Sequence, residues 1–118
     1  MLPTIDTLVT FLFPREGGRR SLSHLGPQYM PHLVVQPADV RTVPTDGSRE
    51  NYLGVRFRGG PAKLTYQESA LCRWELMYHP QVNYEAVQAG ATFTLREGGR
   101  IVGFGTVQER HAGADEPA

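Results

Sequence analysis

The chain has 118 residues, with twelve basic and twelve acidic side chains and a formal net charge of zero. A chain of this length fits one domain with its own core, and zero net charge excludes a global electrostatic attraction to nucleic acid or membranes. The single cysteine, Cys72, excludes an intramolecular disulfide. No apolar run approaches the ~20 residues of a membrane span, and Met1–Asp6 lacks the basic region of a signal peptide, so we expect a cytoplasmic protein.

Glycine and proline interrupt the chain too often for long helices, and six short runs between them have the composition of strands. The third and fourth runs alternate apolar and polar residues, which indicates strands with one buried face. The predicted strands are, in chain order, 5–13, 32–40, 53–57, 72–78, 93–95 and 101–107. Only Asn83–Gln88 would hold a helical turn, and Thr42–Glu50 is predicted to be a loop.

Short strands with regular turn signals indicate a sandwich or a closed barrel. Gly103 and Gly105 alternate within the last run, where they would weaken a flat sheet. They suit a strand that bends around a small barrel or that lets another backbone approach closely. Residues 111–118 contain no large apolar side chain, so we expect one domain over 1–110 and a disordered tail over 111–118.

The pentapeptide Arg-Glu-Gly-Gly-Arg occurs twice, over 15–19 and over 96–100. Adjacent glycines accept positive φ, which a tight reversal between strands usually requires. The flanking arginines are therefore expected on exposed turns, where they can contact an acidic or phosphorylated partner. If the two copies are neighbours in space, one phosphate track would gather Arg19, Arg20, Arg41, Arg96 and Arg100. The alternative is that each arginine is solvated and paired with a nearby glutamate.

The sequence carries no catalytic pattern. A phosphate-binding loop cannot be built around Lys63, and no Gly-x-Ser-x-Gly is present. Cys72 shares a strand face with Trp74 and Leu76, which favours a core residue over a nucleophile, since an enzymatic thiol must be exposed beside a base. Four histidines lack the close pairing of zinc ligands: His24, His32, His79 and His111. We expect no metal, no cofactor and no enzymatic activity.

Several motifs follow one another in a characteristic order: Phe11–Arg19, Tyr29–Pro31, Ala38–Val40, His79–Pro80 and Phe93–Gly105. This series resembles the C-terminal β-barrel, domain III, of bacterial elongation factor Tu, over about residues 5–109. The resemblance implies an all-β fold, a six-stranded antiparallel closed β-barrel, in agreement with the number of strand-like runs. It also implies contact with the T stem of aminoacyl-tRNA, packing on a GTPase domain and binding of an exchange factor.

Glu97 and Gly98 fall on the family positions that touch the T-stem backbone, and Arg19 matches in the first motif. Such contacts position an RNA helix through phosphate and 2′-hydroxyl groups. Five features depart from the family pattern: Met30 replaces an arginine, His32 a glutamine, Arg41 a threonine that meets the T stem, Arg20 a histidine, and 67–69 a Pro-Gly-Asp turn. The GTPase domain and second barrel of the family are absent from this sequence, so GTP-driven delivery of tRNA is not expected.

Two functional hypotheses follow. In the first, the chain is a non-enzymatic, stand-alone β-barrel binding module associated with translation, which contacts the tRNA backbone or a translational GTPase. In the second, it is a protein-interaction regulator or toxin-neutralising partner unrelated to tRNA, as the neutral charge and the changed positions suggest. The candidate contact residues are Arg19, Arg20, Arg41, Glu97, Gly98 and Arg100. The region 42–66 is longer than usual for the family, and its role is open.

Overall fold

The computed structural model describes residues 1–23, 25–46 and 49–113. Six strands and one 3₁₀ turn occur in these ranges: β1 Thr4–Phe11, the 3₁₀ turn Pro14–Glu16, β2 His32–Val35, β3 Leu53–Gly59, β4 Ala70–Leu76, β5 Thr92–Glu97 and β6 Arg100–His111. The strands form a closed barrel in the order β1-β4-β3-β2-β5-β6, and every neighbouring pair is antiparallel. The predicted fold class is confirmed. Within the same ranges no helix has the length and apolarity that crossing a membrane requires.

The strand ends differ from the sequence-based bounds in several places. β2 stops at Val35 instead of Val40, because Pro37 has no N–H to continue the ladder and the chain turns there, with the Val40 N–H donating to the Pro37 carbonyl at 2.9 Å. β4 ends at Leu76, so Tyr78 lies beyond the strand and is half exposed. The segment 83–88 forms turns and no helix.

β6 is the longest strand and closes the barrel against β1. Its alternating glycines permit this closure, since a Cβ at Gly105 would lie 2.1 Å from the carbonyl oxygen of Leu8. The predicted close approach of another backbone is therefore correct. β6 extends to His111, one residue into the predicted tail, where His111 Nε2 lies 2.8 Å from Asp6 Oδ2. Of the rest of that predicted tail, Ala112 and Gly113 are described, with Gly113 buried, and 114–118 lies outside the described residues.

Trp74 lies at the centre of the core and is fully buried. The ring of Phe57 packs edge-on against it with centroids 5.4 Å apart, and the ring of Tyr29 lies 6.0 Å away. The indole N–H donates to Thr7 Oγ1 at 2.9 Å, and the Thr7 hydroxyl donates to the Cys72 carbonyl at 3.1 Å. The inward face of β4 therefore combines apolar packing with satisfied polar groups, as buried polar groups require.

Because neighbouring strands run in opposite directions, the connections alternate between the two ends of the barrel. One end carries the β1–β2 connection 12–31, the β3–β4 connection 60–69 and the β5–β6 turn 98–99. The opposite end carries the connections 36–52 and 77–91. Both copies of the pentapeptide reach the first of these ends, which we call the repeat end.

Candidate functional site

The two pentapeptide copies are in direct contact at the repeat end. Arg19 Nη1 of the first copy donates to Glu97 Oε2 of the second at 2.5 Å. The Tyr29 hydroxyl donates to the same carboxylate oxygen at 2.7 Å, and the Arg19 guanidinium lies 4.5 Å from the centroid of the Tyr29 ring. The two copies are thus neighbours in space, the condition for the arginine track, and a carboxylate lies at the centre of their contact.

The electrostatics of this contact raise the pKa values of both Arg19 and Tyr29. Burial raises the pKa of the Tyr29 phenol, and the Glu97 carboxylate raises it further, so the hydroxyl stays a donor. Burial alone would lower the pKa of Arg19, but the hydrogen bond to Glu97 and the electrostatic interactions with Tyr29 and Glu97 together outweigh that effect and raise it. Glu97 therefore joins the connection 12–31 to the β5–β6 hairpin, and its charge is neutralised within the chain.

The two copies have different backbone roles. Gly17 and Gly98 both have positive φ, 96° and 62°, which glycine adopts without strain. The second copy is a hairpin, since β5 ends at Glu97 and β6 begins at Arg100, as predicted. The first copy instead follows the 3₁₀ turn and leads into the long connection to β2, so it does not reverse one strand onto the next.

The prediction that every flanking arginine lies on an exposed turn is wrong for Arg96, whose side chain is completely buried. It lies on the outer face of β5, beneath the connection 36–52. Its guanidinium donates to both Glu50 carboxylate oxygens at 2.8 Å, to Tyr52 Oη at 3.0 Å, to Gln36 Oε1 at 2.9 Å and to Thr94 Oγ1 at 2.9 Å. These five hydrogen bonds use every N–H that a guanidinium has.

Arg96 therefore fastens the connection 36–52 to the barrel wall and is not free to bind a partner. This connection includes the first part of the long 42–66 region. It does not cover the β5–β6 turn, where Gly98 is exposed to solvent.

Arg41 also departs from the predicted cluster. Its guanidinium carbon lies 3.4 Å from the centroid of the Phe104 ring, on the outer wall of the barrel. The predicted track of five arginines is therefore wrong: Arg19, Arg20 and Arg100 are at the repeat end, whereas Arg41 and Arg96 belong to the packing of the connection 36–52. Arg100 has a 54% exposed side chain and lies 3.7 Å from Glu97.

Three further cations at the repeat end were not among the predicted contact residues. They are Arg15, which lies over the Phe13 ring at 4.6 Å, Arg58, which lies near the end of β3, and Lys63, which is exposed. The charged residues described at this end are six basic ones, Arg15, Arg19, Arg20, Arg58, Lys63 and Arg100, and three acidic ones, Glu16, Glu68 and Glu97. The repeat end is thus positive in a chain of zero net charge. No local sequence pattern marks these cations, because their place at this end depends on the paths of the connections.

A second cluster of ionisable groups lies on the outer face of β1 and β6. Asp6, Glu109 and His111 bring one potential metal-ligand atom each within 4.8 Å of one another. Both Asp6 oxygens, however, accept hydrogen bonds from Arg73, at 2.7 and 3.1 Å. The guanidinium supplies the positive charge that a metal ion would bring, so this arrangement fits an ion-pair network better than a metal site. Of the other three histidines, His24 lies outside the described residues.

We expect the Asp6 network to make stability depend on acid pH. The bonds from Arg73 hold the pKa of Asp6 at about 2, below its ordinary value of 3.8. The ionised carboxylate therefore stabilises the fold above the ordinary value, and this contribution is lost as the pH falls towards 2. In urea denaturation, Asp6→Asn should lower the midpoint at pH 7 and match wild type near pH 2. Glu109→Gln, at a largely exposed side chain, is the control that should change neither midpoint.

Cys72 lies in the core, as its strand position predicted, and its side chain is inaccessible. Burial raises the pKa of its thiol to about 11, which disfavours the thiolate that a nucleophile needs.

Comparison with known proteins identifies no relative of this chain. No protein-family model matches the chain, and no curated protein matches it significantly. Functional inference therefore rests on the chemistry of the repeat end.

Proposed function

We propose that this protein is a non-enzymatic β-barrel module of the cytoplasm that acts in translation and binds the backbone of an RNA such as tRNA through its repeat end. The observation that carries the proposal is the excess of basic side chains there, in a chain whose net charge is zero. A local excess of this kind attracts phosphates to the repeat end without attracting them to the rest of the surface.

Among the candidate residues, the division of labour follows from their partners. Among the candidate residues at the repeat end, Arg20 and Arg100 are exposed cations, and Gly98, which has no side chain, lies in the same turn as Arg100. Arg19 and Glu97 hold the connection 12–31 against this turn through their 2.5 Å bond. Arg100 would contact a phosphate, Gly98 would allow close approach of the RNA backbone, and the Arg19–Glu97 pair would keep the surface in shape.

We expect saturable binding of aminoacyl-tRNA that weakens as salt rises, measured by fluorescence anisotropy at low and moderate salt. Arg100→Gln should weaken binding uniformly across tRNA sequences and reduce the slope of log affinity against log salt by about 1, since one phosphate contact is lost. The matched control is Arg49→Gln, which removes the same charge from an exposed position in the connection 36–52.

The control variant should bind like wild type. Absence of saturable binding at both salt concentrations would sink the proposal, and so would equal losses in the two variants, which would indicate an effect of net charge alone. A second candidate function is a protein-interaction module unrelated to tRNA. One separate feature favours it, a groove at the repeat end whose lining residues are described in the next section.

A further inference from the structure

A groove of about 850 Å³ opens at the repeat end. Residues 20–23 and 25–27 line one side, and the end of β3 with the following 60–66 segment lines the other. Its floor is apolar, and Leu22 and Phe57 of this floor also belong to the core. Leu25, Leu64 and Tyr66 are partly buried and pack against the same core. The groove therefore offers apolar surface next to solvent, a feature typical of sites that bury a side chain of another molecule.

Three cations line the groove: Arg20, Arg58 and Lys63. None of the described residues that line it is acidic. Within the described ranges, neither Arg20 nor Lys63 forms an ion pair, while Arg58 lies 3.8 Å from Glu75. Unpaired cations around an apolar floor favour a ligand that carries both negative charge and apolar side chains.

The walls of the groove are held by hydrogen bonds and do not depend on a ligand for their shape. The Tyr66 hydroxyl donates to the Arg19 carbonyl at 2.6 Å, which links the two connections that form the walls. The Ser23 N–H donates to Ser21 Oγ at 3.1 Å, and the Tyr29 N–H donates to the Gly26 carbonyl at 2.9 Å. A preformed site avoids part of the ordering entropy that binding would otherwise require.

The apolar floor distinguishes between two anionic ligands. RNA bases bind by stacking on exposed aromatic rings, but Phe57 is only 6% exposed, and the Tyr66 ring packs against Phe13 with centroids 5.8 Å apart. The remaining floor is aliphatic, which suits leucine-like side chains. We propose that this groove, the cationic groove, binds an acidic peptide segment of a partner protein, with apolar side chains on the leucine floor and carboxylates paired with Arg20, Arg58 and Lys63.

The test uses a fluorescein-labelled, glutamate-rich synthetic peptide that carries two leucines and one phenylalanine. We expect saturable binding by anisotropy, and at least about tenfold weaker binding to Lys63→Glu, because a carboxylate would then face carboxylates. Replacing the peptide's apolar residues with serine should weaken binding by at least about tenfold, since apolar anchors carry much of such an affinity. Replacing its glutamates with lysine should abolish binding.

Leu64→Ser is the second groove variant, and near-UV circular dichroism establishes that each variant is folded. Arg100→Gln is the control outside the groove and should bind the peptide as wild type does. Equal binding of the glutamate and lysine peptides would overturn the proposal, as would wild-type affinity in both groove variants. Displacement of the peptide by unlabelled tRNA at moderate salt would also overturn it, because the groove would then belong to the RNA surface. Failure of tRNA binding with intact peptide binding would reject only the proposed function.

Discussion

We expect Arg96→Met to lower the free energy of unfolding by about 3 to 5 kcal/mol in urea denaturation at pH 7, the loss usual when one member of a buried ion pair is removed. The side chain is fully buried, and that of Glu50 is only 11% exposed. Methionine fills much of the same volume, so the expected loss comes chiefly from leaving the Glu50 carboxylate without its two hydrogen bonds from the guanidinium.

Two further variants separate this mechanism from a general effect of arginine loss. Arg100→Met changes the last arginine of the same pentapeptide, and its exposure predicts a change within about 0.5 kcal/mol. Arg96→Met combined with Glu50→Leu should recover part of the stability, because the double variant leaves no unpaired charge in this buried position. A loss below about 1 kcal/mol in Arg96→Met would contradict the assigned role of the network.

The second large effect is expected from Gly18→Ala. A Cβ on Gly18 would lie 1.9 Å from the Leu12 carbonyl oxygen and 2.8 Å from that of Phe13. Both obstacles are backbone atoms, so relief requires the end of β1 to move, and the Gly18 N–H bond to Phe13 would be strained with it. We expect a loss of about 3 kcal/mol in the free energy of unfolding, the upper part of the usual range for overpacking.

The matched control is Gly99→Ala, the same substitution at the same position of the second pentapeptide. A Cβ on Gly99 meets nothing within 4 Å, so the free energy of unfolding should change by no more than about 0.5 kcal/mol. The pair thus tests whether identical pentapeptides carry different structural requirements. Equal losses in the two variants would show that the clash at Leu12 is relieved without strain.

The strands were predictable because their signal is local. Cys72, Trp74 and Leu76 alternate with polar residues, and all three are buried. A period of two identifies the inward face without any knowledge of which strand lies alongside. Pro37, inside the predicted strand 32–40, is the local signal that this strand ends early, since proline has no N–H for the ladder.

Whether each arginine is buried or exposed was not predictable, because it depends on segments that are distant in sequence. Arg15 and Arg96 occupy the same position in identical pentapeptides, yet one is exposed and the other is buried. The difference is made by Glu50, 46 residues from Arg96 in sequence, on a connection whose path no local pattern specifies. The cationic groove was missed for the same reason, since its walls come from two connections more than thirty residues apart.

The closure of the barrel between β1 and β6 has a consequence for the order of folding. Ile5 pairs with Trp74 on one side and with Arg110 on the other. The first strand to be synthesised therefore has no sheet partner until β4 emerges, and it keeps one open edge until the last strand is complete. Such non-local pairing slows folding and prolongs the exposure of strand edges. Of the six strands of this barrel, β1 thus waits longest during synthesis for both of its partners.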